Sequence, residues 1–154
     1  MLEKQNIQTR GFHNLYDENG EAVGFQLCFR STYYKGVWLS QIRVGDVIVD
    51  GEHFPREKQI WEINGIDYTP DEMEKIGTIH WHILDVATIK VQKAGGLSQG
   101  YHDVIVNFGT CSSYGPAPFA PKPNDRSEWD KPFPLEVFSM LATREYRNDR
   151  MIIV

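Results

Sequence analysis

The residues best suited by type and spacing to do chemistry are His80 and His82. They flank Trp81 at i and i+2, and on a strand that spacing puts both imidazoles on one face, within reach of one metal ion. His102, beside Asp103, is the candidate third ligand; two part-exposed strand histidines are the plainer reading of the pair. A second group lies in the run 31–42, which crowds Tyr33, Tyr34 and Trp38 around Lys35-Gly36. Amphipathic rings at a loop or strand edge suit stacking on a sugar or an aromatic ligand, and equally suit a protein interface. Asp17, Glu18, Asp67, Asp71, Glu72 and Asp85 could form a glycosidase-like carboxylate pair only if folding gathered them, and surface solvation accounts for each. No G-x-S-x-G elbow, G-x-G-x-x-G fingerprint or phosphate-binding loop occurs, so the corresponding hydrolase, dinucleotide and nucleotide readings have no support.

The elements that must position these groups read as short strands. Residues 22–30 alternate, with Val23, Phe25, Leu27 and Phe29 on one face, as a half-buried strand does. The runs 43–50, 59–63 and 66–68 follow, with Asp50-Gly51 and Asn64-Gly65 as two-residue hairpin signals. Thr69-Pro-Asp-Glu72 is a helix start, with Thr69 as cap, Pro70 at the first helical position and Glu72 closing a capping box. Gly77 limits that helix to about two turns. Residues 78–83, 87–92 and 101–108 read as further strands, and 150–154 as a closing one, while 135–142 suits a strand or a short helix. Six of the 8 prolines fall between Pro116 and Pro134. Proline supplies no ladder donor, so this stretch cannot be a central strand; its Tyr114, Phe119, Trp129 and Phe133 favour a packed arm over a solvated linker. The expected architecture is all-β: a single sandwich domain of antiparallel strands over 1–154, jelly-roll-like, with one short helix and a Pro-rich arm at about 112–134.

The 154 residues and 41% hydrophobic content suffice for one core. With 16 Lys+Arg against 21 Asp+Glu, the net charge of -5 offers no basic face for nucleic acid. No apolar run is long enough to span a membrane, and the polar start lacks a signal-peptide core, so a cytoplasmic protein is expected. Cys28 and Cys111 have neither redox nor zinc spacing and read as buried thiols. Four tryptophans exceed what a core of this size needs, which points to a ligand or protein contact.

Several segments taken in order resemble one family. They are Gly24-Phe-Gln, Tyr33-Tyr-Lys-Gly-Val-Trp-Leu-Ser-Gln-Ile42, Val49-Asp-Gly-Glu52, Pro55-Arg-Glu57, Tyr68-Thr-Pro-Asp-Glu-Met73, Ala94-Gly-Gly-Leu97 and Gly100-Tyr-His-Asp-Val104. The chain over about residues 1–115 resembles the small β subunit of bacterial C-glycoside deglycosidases. That resemblance implies a non-catalytic β-sandwich, inactive alone, paired with a TIM-barrel α subunit related to sugar isomerases. The α subunit would bind a divalent metal, with manganese expected, and this chain would hold no cofactor. The complex would cleave 3-oxo-C-glycosides of flavonoid or anthraquinone type by β-elimination, a lyase reaction. Tyr33, Tyr34, Lys35 and Trp38, with Phe119 and Trp129 on the arm, are then the expected pocket-rim or interface residues, and no residue here is assigned catalysis. Two readings compete: a freestanding carbohydrate-binding sandwich, and a small cupin-like metalloenzyme using His80 and His82. Cupins, however, space their glycine further from the histidine pair and use Glu where Asp85 stands.

Overall fold

The hairpin signals fold as their chemistry requires. Asp50 and Gly51 take φ of 49° and 85°, and Asn64 and Gly65 take 55° and 79°. Positive φ at both central residues is what a type I′ turn demands. The first turn joins β4 (Ile42–Val49) to β5 (Glu52–Phe54), and the second joins β6 (Gln59–Ile63) to β7 (Ile66–Tyr68). This computed structural model describes residues 6–31, 36–110 and 144–154.

Among the described residues the remaining strands are β1 (Ile7–Tyr16), β2 (Ala22–Arg30), β3 (Val37–Trp38), β8 (His80–Trp81), β9 (Val86–Gln92), β10 (Gly100–Thr110) and β11 (Arg144–Ile153). They form a five-stranded sheet in the order β1-β2-β9-β6-β7, a four-stranded sheet in the order β11-β10-β4-β5, and a ribbon of β3 and β8. Every pairing is antiparallel. The all-β sandwich with one short α-helix is therefore what the described residues form. Phe25, Leu27 and Phe29 of β2, Ile89 and Val91 of β9, and Trp61 of β6 turn inward. From the other sheet Val47 and Val49 of β4, Val104, Val106 and Phe108 of β10, and Met151 of β11 complete the core. Asn148 on β11 donates to the Ile7 carbonyl of β1 at 2.8 Å, tying together one edge of each sheet.

Several details differ from the expectations drawn from sequence, among them the strand expected over 78–83, which is confined to His80–Trp81. Strand β1 carries no hydrophobic period, because a register break between Gln8 and His13 interrupts its alternation; pairing with β2 makes it a strand. Strand β11 begins at Arg144, six residues before the expected closing strand, because β10 supplies a partner for the polar residues 145–149. The helix α1 (Pro70–Glu74) has the expected capping box but spans five residues, short of the two turns its stop signal allows. Arg56, nearly buried, clamps it from the outside through Asp71 at 2.9 Å and Glu74 at 2.7 Å. Val23, expected inside, is 42% exposed, because the register shift that pairs Tyr16 with Ala22 and Leu15 with Gly24 leaves it as a bulge that breaks the alternation.

Candidate functional site

The His80-Trp81-His82 segment is organised by the inward turn of Trp81, which is 0% exposed. Its indole packs against Phe29 at 6.3 Å, Trp61 at 6.0 Å and Phe108 at 5.9 Å between ring centroids. Alternation about that anchor sends the neighbouring imidazoles outward. Trp38 lies opposite His80 in the β3–β8 ribbon, and their rings meet edge to face at 5.0 Å and 74°. The His80 and His82 ring centroids are 6.4 Å apart. Trp38, 44% exposed, thus heads a row of three outward rings.

The backbone behind this row is fixed from several sides. Gly36 takes φ of 69°, and a Cβ there would lie 2.5 Å from the Trp81 carbonyl oxygen and 2.6 Å from His80 Cε1. Only glycine lets the chain pass this close behind the ring. The Trp38 amide donates to Gln41 Oε1 at 3.0 Å, and Asn64 Nδ2 donates to the His80 carbonyl at 3.2 Å. Beyond the strand the Trp81 indole N–H donates to the Asp85 carbonyl at 2.9 Å, closing a tight turn that exposes Leu84. Within that turn the Leu84 amide donates to His82 Nδ1 at 3.2 Å. An Nδ1 that accepts leaves the neutral ring's proton on Nε2, so His82 presents an outward N–H donor.

The same contact bears on metal binding, because ligation through Nε2 would move the ring proton to Nδ1 and break the bond from the Leu84 amide. Among the described residues no group of three or more His, Cys, Asp or Glu side chains is placed to hold a metal. His102, the candidate third ligand, stands near the start of β10, whereas Trp81 packs on Phe108 near that strand's other end.

His102 has a different task. The buried ring lies 2.6 Å from Asp50 Oδ2 through Nδ1 and 2.7 Å from the Ser98 carbonyl through Nε2. A carbonyl and a carboxylate can only accept, so the ring donates at both nitrogens, joining the β4–β5 turn, β10 and the 93–99 loop. Asn14 grips the same loop, accepting from the Leu97 amide and donating to the Leu97 carbonyl, both at 2.8 Å. Desolvation, the largest single influence on Asp50, would raise its carboxyl; hydrogen bonds from the Asp103 amide and the His102 ring, with the ring's charge, outweigh it and hold the group below its ordinary value. A depressed carboxyl adds stability that is present above its unfolded pKa and is lost as pH falls through the folded one. The window therefore lies below about pH 4. Urea unfolding at pH 3 and pH 5 is expected to show a larger loss toward pH 3 in the wild type than in Asp50→Asn. The difference should be about 1 kcal/mol or less, because half of the Asp50 side chain meets solvent.

Of the other candidate residues, Tyr33, Tyr34, Lys35, Phe119 and Trp129 lie outside the described residues, as do Cys111, the 112–134 arm and 135–142. Cys28 is half-buried on the outer face of β2, not in the core, as its place between the inward Leu27 and Phe29 requires; burial, as the largest influence, pushes its thiol up. Two surface hollows of about 310 Å³ lie elsewhere, one over Gly24 between Leu15, Ile60 and Lys90, the other beside Arg56 and Pro70. Neither touches Trp38, His80 or His82. Sequence reasoning missed Gly36, Asn64 and Leu84 as parts of the site, although the Asn64-Gly65 turn signal did place a tight turn there. No helix of the described residues is long and apolar enough to cross a membrane.

Residues 2–114 match the family described as C-glycoside deglycosidase beta subunit. The chain belongs to that family. A C-glycoside deglycosidase beta subunit from Eubacterium cellulosolvens is 46% identical over 115 residues, which cover 75% of this chain and 78% of that protein. The segment that matches the deglycosidase beta subunits contains β1 to β10 and therefore the whole Trp38, His80, His82 row, whereas β11, which completes the second sheet, lies beyond it.

Proposed function

We propose that this chain is the accessory subunit of a heteromeric C-glycoside deglycosidase, inactive by itself, whose partner is a TIM-barrel subunit related to sugar isomerases. The observation that carries the proposal is the match over residues 2–114 to a family whose members are described as beta subunits. The reaction is a β-elimination on a 3-oxo-C-glycoside of flavonoid or anthraquinone type. The ketone acidifies the sugar C2 proton, a base removes it, and a C1–C2 double bond forms as the C1–aglycone bond breaks. The electron pair of that bond passes to the aglycone ring carbon, which takes up a proton, so there is no net oxidation. A divalent metal, manganese being the proposed ion, would stabilise the enolate and belongs to the partner, at the barrel mouth where such folds build active sites. The described residues of this chain offer no ligand set for it. The sandwich would act in the cytoplasm, walling a pocket shared between the two chains.

Co-expression with a barrel-type, isomerase-like subunit tests this. Size-exclusion mass analysis should give a heteromer, and aglycone release from a 3-oxo-C-glucoside should need both chains. A chain that stays alone and leaves the barrel's activity unchanged would sink the proposal. The cupin-like alternative is checked in the same preparation: metal should remain with the barrel when His80 and His82 are both replaced by Ala.

A further inference from the structure

The accessory-subunit reading leaves open what the outward ring row contacts, and the inference here rests on that reading. We infer that Trp38, His80 and His82 form the wall that receives the aromatic aglycone of the C-glycoside. The reaction chemistry defines the ligand. An aryl carbon leaves readily when it is protonated as the C1–C bond breaks, the bonding pair then restoring the aromatic ring; such protonation is easiest on a phenolic ring, so the proposed aglycone is a flat phenolic system. The site complements both properties. Trp38 meets His80 edge to face and is 44% exposed, so part of its indole surface remains accessible for stacking. Beyond His80 in the row, the Leu84 amide occupies His82 Nδ1, so in the ring's neutral form Nε2 carries the proton and can donate.

Preorganisation distinguishes this row from exposed rings of no consequence. Gly36, Gln41, Asn64 and the buried Trp81 hold its backbone before any ligand arrives, so little ordering remains to oppose binding. Leu84, 74% exposed on the turn after His82, adds apolar surface beside it. Neither of the two surface hollows described above reaches the row, which stands as a wall on the exposed side of the β3–β8 ribbon. An open wall becomes a pocket only when a second chain closes it, which is the arrangement a two-chain enzyme provides.

The test uses the reconstituted heteromer and two inhibitors, the free flavonoid apigenin for the aglycone side and 3-oxoglucose for the sugar side. In Trp38→Ala the heteromer should keep its wild-type mass, and apigenin inhibition should weaken about tenfold. Inhibition by 3-oxoglucose should be unchanged, with KM rising and kcat nearly constant. Trp38→Phe should recover most of the apigenin affinity, and His82→Phe, which keeps a ring but removes the donor, should lose a smaller part of it. Unchanged apigenin inhibition in an intact Trp38→Ala heteromer overturns the inference. A Trp38→Ala chain that folds but no longer assembles also overturns it and makes the row a subunit contact. If the wild-type chains form no active heteromer, the accessory-subunit reading fails before any variant is made, and the inference falls with it.

Discussion

Trp61→Ala is expected to lower the unfolding free energy by about 3–5 kcal/mol. The indole is 0% exposed at the centre of the sandwich and stacks on Phe108 at 5.7 Å and 18° between ring planes. Phe29 and Trp81 meet it edge-on. Truncation removes the largest class of side chain from between two sheets whose hydrogen-bonded ladders cannot close over the void, so most of the cavity cost persists. A polar penalty adds to it. The Trp61 N–H donates to Gln59 Oε1 at 3.1 Å, while Gln59 Nε2 donates to the Gly45 and Phe54 carbonyls at 2.8 and 3.1 Å. That chain ties β6 to the opposite sheet, and alanine would leave a buried acceptor empty. Urea denaturation followed by far-ultraviolet circular dichroism checks the figure. Trp61→Phe separates the two contributions, because it keeps a stacked ring and orphans only Gln59 Oε1, with an expected loss of about 1–3 kcal/mol. A Trp61→Ala loss below about 1 kcal/mol would mean that the core is not built around this ring.

The second large effect is expected at the other end of β10. His102→Phe keeps an aromatic ring edge-on to Phe12 but removes both hydrogen bonds. The Ser98 carbonyl loses its donor, and Asp50 keeps the Asp103 amide at 2.8 Å while losing its charged neighbour. An expected loss of about 2–4 kcal/mol follows, since a ring that donates at both nitrogens makes both bonds charge-assisted, the one to Asp50 between opposite charges. Amide hydrogen exchange should localise the damage: protection should fall in residues 94–100 and around the Asp50-Gly51 turn, and persist at Trp61 and Phe108. A uniform loss of protection across the molecule would show that His102 supports the whole sandwich and not a local clamp.

Much of the sandwich was legible because its signals are local. Alternation in residues 22–30, β-branched content in 43–49 and the dipeptides Asp50-Gly51 and Asn64-Gly65 each act within a few residues of themselves. The capping box at Thr69 is likewise closed by atoms three residues apart. Strand β1 was not legible, since its identity depends on bonds to β2 across a bulge, and neither partner nor bulge leaves a period in the sequence of residues 7–16. The ring row was half legible. The spacing of His80 and His82 showed that both rings share a side, but the same spacing suits a metal pair, a stacking wall or a solvated edge.

The sequence by itself determined the fold class, the turn types and the family resemblance, because alternation, positive-φ dipeptides and ordered motifs are properties of short stretches of chain. Tertiary structure alone decided what the polar side chains do. His102 has the residue type of a third ligand and is instead held between Asp50 and Ser98; His82 shares a face with His80, and the Leu84 amide engages its Nδ1; Trp38 comes to face His80 only because β3 pairs with β8. An imidazole or an indole takes its function from the acceptor, donor or ring that faces it, and residues far apart along the chain become facing only when the strands register.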